Sequence, residues 1–375
     1  MAPNLCTLLR RVAMLAAVLS PALPTCAWTW GAATHHYIAQ NYSKHLPAMM
    51  DGLRVYDSIV DQKVNDPDIR RPTTPGEAPR HFIDIDNYPE FLAGAMPHDR
   101  ATLEAQHGAT FVEDNGIVPW AVGEVVTTLT QQFQAHQWDA AALTIADLCH
   151  YVGDATQPLH CTRNFDGQLT GNNGIHSRYE TTMMSGHIGD LSTPVMAVVD
   201  YASPVDAAFG IVSGSWDRVN ALLAADNAAK AASGGSFNSV YYASLWNSTQ
   251  AFTRTRIDSA TVATASFVYT AWVDAGRPNV PGSTADVEPP APAATLLEAG
   301  PTPFRNALTI RYAGSGPLSV EVFDVRGARI ERIVEGLTVA GSATWQPAGT
   351  VAAGIYFVRL AGRGFEVVRR VARVR

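Results

Sequence analysis

The chain has 375 residues, 47% of them hydrophobic and 16% charged, which predicts one domain with a sizeable core and a smaller companion. Its formal net charge of −7 is spread unevenly, because residues 296–375 carry 11 basic and 6 acidic side chains while the first 295 residues carry 16 and 28. Strong nonspecific binding of nucleic acid usually needs a basic surface, so this acidic balance disfavours that class of protein.

The first 27 residues have the pattern of a secretory signal. Arg10 and Arg11 precede an apolar run from Val12 to Leu23, and the small residues 25–27 form a cleavage site. The apolar run is shorter than the ~20 residues that a membrane-spanning helix needs. We therefore predict an exported protein that loses residues 1–27 and has no transmembrane segment.

The segment from Trp138 to Val152 is predicted to be a buried helix. Apolar residues such as Leu148 and Tyr151 stand among alanines there. Gln157-Pro158 should end this helix, because proline restricts the residue before it.

Five potential metal ligands lie in and after this helix: His150, Asp154, His160, His176 and Glu180. The first pair and the last pair are each separated by four residues, so on a helix each pair projects from one face. Imidazole together with carboxylate suits zinc rather than calcium or magnesium. Buried polar groups at this density need a partner, because an unpaired one costs about 1–3 kcal/mol. The pattern predicts a zinc pocket.

These residues resemble the zinc-dependent phospholipases C and the single-strand-specific zinc nucleases. The motif of that superfamily, His-x3-Asp-x5-His, is matched by His150, Asp154 and His160, and its His-x3-Glu by His176 and Glu180. The resemblance implies an all-α catalytic domain, a trinuclear zinc site and hydrolysis of phosphodiester bonds. It also implies ligands nearer the amino terminus: a terminal tryptophan, a histidine, an aspartate and a further histidine.

The terminal tryptophan has two candidates. Cleavage after Ala27 would make Trp28 the first residue, and the resemblance implies that its amine and carbonyl bind one zinc. Cleavage two residues later would give this role to Trp30, which is spaced from His35 as in the nucleases. Ala27 is the better cleavage residue, which favours Trp28.

The other upstream ligands follow from short phrases. His35 is favoured over its neighbour because the small Thr34 precedes it, and His81 begins His-Phe-Ile-Asp-Ile-Asp, which is similar to a strand-like nuclease segment that carries a zinc histidine. The aspartate is Asp66 or Asp68, and the arginines that follow favour Asp68.

Carried over to this chain, the resemblance implies three zinc ions. Their ligands are Asp68, His81, His150 and Asp154 for the first ion, His160, His176 and Glu180 for the second, and Trp28, His35 and the bridging Asp154 for the third. Asp68 is also the candidate for orienting or deprotonating the attacking water. Metal-activated water needs no protein nucleophile, and the sequence contains no serine elbow or phosphate-cradling glycine loop.

The chain changes character after residue 275. Residues 257–268 still show helical periodicity, whereas prolines at 278, 281, 289, 290 and 292 indicate a linker. The predicted organisation is a signal (1–27), a helical zinc hydrolase domain (28–277), a linker (278–297) and a β-sandwich (298–375). The two mature cysteines, Cys149 and Cys161, could form a disulfide or remain buried thiols.

The predicted sandwich is a small all-β, immunoglobulin-like domain, because alternating apolar runs such as 318–325 and 354–360 are separated by glycine turns. Phrases at 300–304, 322–327 and 353–357 resemble the FlgD-like, type IX sorting modules of surface-secreted bacterial enzymes. This resemblance implies an export machinery as partner and a secreted or cell-surface location. A generic carbohydrate- or protein-binding sandwich is the alternative, and removal of the module after export stays open.

Two substrate classes fit a secreted, monomeric zinc hydrolase of this kind. Glu180 and the acidic charge favour a phospholipase C that acts on a phospholipid head group. The phrases at Trp30 and His81 favour a single-strand-specific nuclease or 3′-nucleotidase. We favour phospholipase C. A surface zinc-binding protein without catalysis is a third hypothesis, disfavoured by the complete ligand set.

Overall fold

The computed structural model describes residues 30–283, 296–313, 318–336, 340–362 and 365–374. The predicted signal, Trp28 and linker residues 284–295 lie outside the described residues. All α-helices of the described residues fall between residues 32 and 274 and all strands between 296 and 373. The predicted order of an all-α region followed by an all-β region is confirmed, and the domain boundaries stay predictions.

The described helices are α1 (Ala32–Asn41), α2 (Asp57–Lys63), α3 (Asp66–Arg70), α4 (Pro89–Leu92), α5 (Arg100–His107), α6 (Ala109–Asp114), α7 (Val118–Gln134), α8 (Trp138–Thr156), α9 (Ile175–Ser177), α10 (Met184–His187), α11 (Pro204–Trp216), α12 (Val219–Ala232) and α13 (Ser239–Asp274). Short 3₁₀ helices span Tyr42–His45, Ala48–Tyr56, Ala78–His81, Ile85–Asn87, Pro158–Cys161 and Ile188–Asp190, and a π turn spans Arg178–Met183. None of these helices combines the length and the hydropathy that crossing a lipid bilayer requires.

Helix α8 lies at the centre of the helical region, packed against α7, α11 and α13. Its last eight residues, from Cys149 to Thr156, are all buried, so no side of its final two turns meets solvent. Three of these residues, His150, Asp154 and Thr156, are polar and need partners in the interior. As predicted, the helix ends before Pro158, because Gln157 takes an extended conformation with ψ of 120°.

Two local expectations differ from the structure. His176 and Glu180 do not lie on one regular α-helix, because α9 passes at Arg178 into the π turn. The segment after His81 is extended at Phe82 but pairs with no strand in the described part of the chain. Instead the backbone N–H of Ile83 donates to the carbonyl of His160 at 2.8 Å, which ties two ligand-bearing segments together.

The strands are β1 (Leu296–Gly300), β2 (Leu308–Ala313), β3 (Leu318–Asp324), β4 (Arg329–Gly336), β5 (Ala340–Trp345), β6 (Gly354–Gly362) and β7 (Phe365–Arg373). They form two antiparallel sheets, ordered β1-β2-β5 and β4-β3-β6-β7. Ile310 and Trp345 of one sheet share a buried cluster with Val320 and Val358 of the other. Two sheets around one apolar core make the predicted sandwich.

Glu321 of β3 is the buried carboxylate of this sandwich, with 3% of its surface exposed. Burial alone would raise its pKa, but hydrogen bonds from Arg359, Arg332 and Arg329 lower the pKa to about 2. A carboxyl group whose pKa is lower in the folded protein stabilises the fold above its unfolded value, and this contribution is lost as the pH falls through the folded value.

We therefore expect the unfolding temperature of the sandwich to fall as the pH drops from 4.5 to about 2. Glu321→Gln should remove this part of the pH dependence, as measured by calorimetry of the full-length protein. Glu366→Gln is the matched control, because the Glu366 side chain is 55% exposed. Equal pH profiles for the two variants would contradict the role given to Glu321.

Candidate metal centre

Gly153 allows α1 and α8 to approach closely. A Cβ atom at this position would lie 3.0 Å from Nδ1 of His35 and from Cδ1 of Ile38. Glycine inside a helix costs about 0.5–1 kcal/mol relative to alanine, and here the missing side chain permits the contact. The rings of His35 and His150 stack with their centroids 3.9 Å apart. His35 of α1 thus lies beside His150 and Asp154, the ligand pair of α8.

Asp154 is fully buried at the centre of the cluster, and its carboxylate faces four histidines. Its oxygens lie 2.9 Å from His81 Nδ1, 3.3 Å from His160 Nδ1, 3.4 Å from His150 Nε2 and 3.5 Å from His35 Nε2. Burial would raise the pKa of this carboxyl, but the nearby His150 and His160 hold it well below its usual range. One ionised carboxylate therefore links four separate parts of the chain.

Three groups of side chains converge here, each with ligand atoms within 4.8 Å of one another. They are His35, His150 and Asp154; Asp68, His81 and His150; and His160, His176 and Glu180. In the last group Oε2 of Glu180 lies 2.9 Å from Nε2 of His176 and 3.5 Å from Nε2 of His160. The structure brings together all the predicted ligands among the described residues, and their role as ligands stays a prediction.

Backbone carbonyls orient three of these histidines. Nδ1 of His150 donates to the carbonyl of Val64 at 2.8 Å, Nδ1 of His160 to that of His81 at 2.9 Å, and Nδ1 of His176 to that of Phe165 at 2.8 Å. A carbonyl only accepts, so the proton lies on Nδ1 and the lone pair of Nε2 faces the cluster. His81 is the exception, because the nitrogen that it turns to the other members of its ligand group, Asp68 and Asp154, is Nδ1.

Several buried atoms of the cluster fit a bound dication. Both ring nitrogens of His35 and Oδ1 of Asp154 lack a hydrogen bond, and an unsatisfied buried polar group costs about 1–3 kcal/mol. Burial, followed by His150, lowers the pKa of His35 to about 4, so its ring is neutral and able to bind metal near pH 7. Burial would lower the pKa of His160 too, but Asp154 and Glu180 raise it to about 10, so the carboxylates favour positive charge at this position. A bound dication would supply that charge in place of the proton, and imidazole with carboxylate ligands suits zinc.

Asp66 and His36, which are close in sequence to the proposed ligands Asp68 and His35, form ion pairs away from the cluster. Asp68 Oδ1 lies 3.6 Å from His150 Nε2, whereas Asp66 pairs with Lys63 at 3.4 Å on the surface. His36 likewise pairs with Asp61, at 2.7 Å, and its side chain is 40% exposed. The geometry thus supports Asp68 over Asp66 and His35 over His36 as members of the site.

Trp28 lies outside the described residues, but the alternative terminal residue, Trp30, is described. Trp30 is fully buried, and its indole N–H donates to the hydroxyl of Thr156 at 3.3 Å. The next residue, Gly31, packs so closely that a Cβ atom would lie 2.9 Å from the carbonyl oxygen of Glu180. The start of the described chain therefore lies against the segment that carries the second ligand pair.

Sequence reasoning missed a network behind His81. Oε1 of Glu77 lies 3.5 Å from Nε2 of His81, and Glu77 also accepts from Arg70 and Tyr151. Burial would raise the pKa of Glu77, but His81, Arg70 and Tyr151 lower it to about 2. Glu77 precedes His81 by four residues, which is also the spacing of the two predicted ligand pairs. This spacing could therefore have identified Glu77 as a partner of His81.

Both described cysteines are free thiols in the structure. Cys149 and Cys161 are buried, and burial raises the pKa of Cys161 to about 12. A thiol that stays protonated near pH 7 is a poor metal ligand, so the structure brings no thiolate to the cluster within the described residues.

A cavity of about 270 Å³ opens beside the second ligand group. Its lining comprises Arg71, Phe82, Asp84, Asp114, Leu159, His160, Phe165 and His176. Burial, followed by the charge of Asp86, raises the pKa of Asp84 to about 7. Asp86 itself accepts from the Thr162 hydroxyl and the Arg163 backbone N–H, both at 2.8 Å, and so holds the chain that follows His160.

No protein-family model and no curated protein matches this sequence. Among solved structures, the chain is similar to the alpha-toxin of an avian strain of Clostridium perfringens, with a TM-score of 0.42, 11% identity, and 92% of each chain covered. It is similar to the alpha-toxin of Clostridium absonum with a TM-score of 0.42 and 12% identity, over 93% of this chain and 96% of that one.

Proposed function

We propose that this protein is a zinc-dependent phosphodiester hydrolase of the phospholipase C type. The observation that carries the proposal is the shared position of Asp154, which faces His35, His81, His150 and His160 in a buried cluster. A second carboxylate, Glu180, adjoins His160 and His176, which line the cavity. The three converging groups of histidine and carboxylate side chains offer ligands for more than one zinc ion.

The proposed ligands form three sets. They are Asp68, His81, His150 and Asp154; His160, His176 and Glu180; and His35, Asp154 and the terminal tryptophan. Zinc, when bound, lowers the pKa of a coordinated water and neutralises charge on phosphoryl oxygens. The protein contributes the ligand positions, which the carbonyls of Val64, His81 and Phe165 fix through Nδ1 of three histidines.

Asp68 is the candidate residue for orienting the attacking water. Its side chain is 31% exposed, whereas the other described ligands are at most 6% exposed. Burial would raise its pKa, but a hydrogen bond with His150 lowers it, so Asp68 is ionised near pH 7 and can accept a hydrogen bond that orients the attacking water. Asp68 therefore contacts the cluster and is also accessible to solvent.

The cavity favours a cationic head group. Phe82 and Phe165 contribute aromatic rings to its lining, and Asp84 and Asp114 contribute carboxyl groups. Aromatic faces with negative charge are the chemistry that binds a quaternary ammonium group, and Arg71 can meet a phosphoryl oxygen. The two phenyl rings could instead stack a nucleobase, which is the observation in favour of the nuclease alternative.

Hydrolysis assays separate the hypotheses. We expect the purified mature protein to release the head group from a phosphatidylcholine analogue, and a zinc chelator to abolish this activity. Chelator-sensitive cleavage of single-stranded DNA or RNA, or of a 3′-nucleotide, with no action on the lipid would establish the nuclease alternative. Zinc binding without hydrolysis of any substrate would leave the non-catalytic zinc-binding protein and refute the enzyme.

The amino terminus offers a separate prediction. We propose that removal of the signal exposes a tryptophan whose amine and carbonyl complete the third set, at Trp28 or at Trp30. The burial of Trp30 beside the Glu180 segment supports the second choice. Mass spectrometry of the secreted protein identifies the first residue, and one added residue ahead of it should reduce bound zinc by about one ion. Unchanged zinc content would contradict a terminal ligand.

For residues 298–375 we propose a sorting or surface-attachment role, with the protein secreted or displayed on a bacterial surface as a monomer. The described seven-stranded sandwich and the three phrases that resemble sorting modules support this role. Loss of export after deletion of the sandwich, with the signal intact, is the expected result. Normal export of the shortened protein would leave the generic binding sandwich as the better hypothesis.

A further inference from the structure

His81 uses the opposite ring nitrogen from the three histidines that are oriented by backbone carbonyls. Its Nδ1 lies 2.9 Å from Asp154, 3.2 Å from Nε2 of His150 and 3.7 Å from Asp68, and its Nε2 is buried without a hydrogen bond, with Oε1 of Glu77 at 3.5 Å. A ring protonated on Nδ1 would present an N–H to the cluster and could not bind a cation there. Zinc binding at Nδ1 would therefore require the proton on Nε2, where Oε1 of Glu77 is the facing acceptor, whereas the contact of Nδ1 with the Asp154 carboxylate alone would place the proton on Nδ1.

Glu77 is held in place at both oxygens. The Nε–H of Arg70 donates to Oε2 at 2.9 Å, and the Tyr151 hydroxyl donates to Oε1. Arg70 is itself fixed by a bidentate pair with Asp147, both distances being 2.9 Å, and by a contact of 2.7 Å with the Tyr151 oxygen. Only 5% of Glu77 is exposed, so solvent does not compete for its oxygens. A carboxylate fixed in this way can set the orientation of a neighbouring imidazole.

We propose that Glu77 is a positioning residue, which keeps the proton of His81 on Nε2 and thereby aims Nδ1 at the metal cluster. This inference rests on the proposed zinc site for its functional meaning. Four side chains that are not proposed metal ligands thereby support the cluster: Glu77, Arg70, Asp147 and Tyr151. Arg70 and Tyr151 act through Glu77, and Glu77 acts through His81.

The test compares full-length wild type with Glu77→Ala in two measurements. Titration with a zinc chelator measures metal retention, and we expect the variant to bind one class of zinc about 10–100-fold more weakly, the usual effect of losing the partner of a metal-bound histidine. Nitrogen-15 NMR of labelled histidines identifies the protonated ring nitrogen, with the His81 signals assigned by their loss in His81→Asn. We expect Nε2–H at His81 in the zinc-loaded wild type and a mixture of forms in Glu77→Ala at the same zinc concentration.

Glu124→Ala is the matched control. Glu124 pairs with Arg80 at 2.6 Å, and Arg80 lies 5.2 Å over the Tyr151 ring, but the Glu124 side chain is 55% exposed. Glu124→Ala removes a carboxylate from the same neighbourhood, but not one that faces His81. Zinc retention and the His81 signals of this variant should therefore match those of wild type. Tyr151→Phe should shift both readouts in the direction of Glu77→Ala, by a smaller amount, and it provides the comparison if Glu77→Ala does not fold.

The outcomes distinguish this inference from the proposed function. Nδ1–H at His81 in the zinc-loaded wild type would overturn the role of Glu77, whichever variants fold. Zinc retention and His81 signals unchanged in a folded Glu77→Ala would overturn it as well, while the zinc site itself stands. A wild-type protein that binds no zinc would refute the proposed function, whereas a protein that binds zinc with Nδ1–H at His81 would overturn only the role of Glu77.

Discussion

Asp154→Asn is expected to reduce bound zinc from three ions to roughly one and to lower chelator-sensitive hydrolysis by at least about 100-fold. The carboxylate of Asp154 faces His35, His81, His150 and His160, so two of the proposed ligand sets share it. Asparagine keeps the shape and loses the charge. The set of His160, His176 and Glu180 keeps its own carboxylate and should retain its ion.

Asp84→Asn is the matched control for zinc content. Asp84 lines the cavity beside the cluster but belongs to none of the three converging groups. We expect this variant to retain all of its zinc when both proteins are measured by elemental mass spectrometry. Full zinc content in Asp154→Asn would refute the shared position of Asp154 in the site.

Asp226→Asn is expected to destabilise the helical region by about 3–5 kcal/mol, because it leaves a buried arginine without its counter-charge. Asp226 is fully buried and contacts Arg178 at 3.0 Å, Lys230 at 2.6 Å and Asn172 at 2.7 Å. Burial would raise its pKa, but these donors and Tyr241 lower it, so the buried charge is compensated in the folded protein. Urea unfolding followed by circular dichroism measures the loss.

The same variant should weaken the second zinc set. Arg178 stands between His176 and Glu180 in the chain, and its guanidinium also donates to the carbonyl of Asn173 at 2.7 Å. Asp206→Asn is the control, because Asp206 forms an exposed pair with His98 that contributes about 0–1 kcal/mol. Equal unfolding midpoints for the two variants would contradict the structural role of the Arg178–Asp226 pair.

The ligand pairs closest in sequence were the most predictable part of the site. The helical repeat alone places His150 and Asp154 on one face of α8, and Gln157-Pro158 marks its end. His81 lies 73 residues from Asp154, and only the family resemblance predicted that the two would meet. The backbone hydrogen bond from Ile83 to His160 holds the two segments together, and no local pattern encodes this tertiary contact.

The supporting groups were less predictable than the ligands. Nothing in the sequence distinguishes the Nδ1 of His81 from the Nε2 of His150 as the nitrogen that faces the cluster, because backbone carbonyls and Glu77 decide it after folding. The π turn at Arg178 was also missed, since its pattern of residues does not differ from that of an α-helix. The alternating pattern of the strands, in contrast, was sufficient to predict the sandwich.

The most direct test of the central claim is the position of bound zinc in the mature protein. A crystal of that protein, measured on both sides of the zinc absorption edge, gives an anomalous difference map that locates each ion. The proposed centre predicts three peaks: one between Asp68, His81, His150 and Asp154, one between His160, His176 and Glu180, and one between His35, Asp154 and the amino terminus. A map with no peak around Asp154 would contradict it.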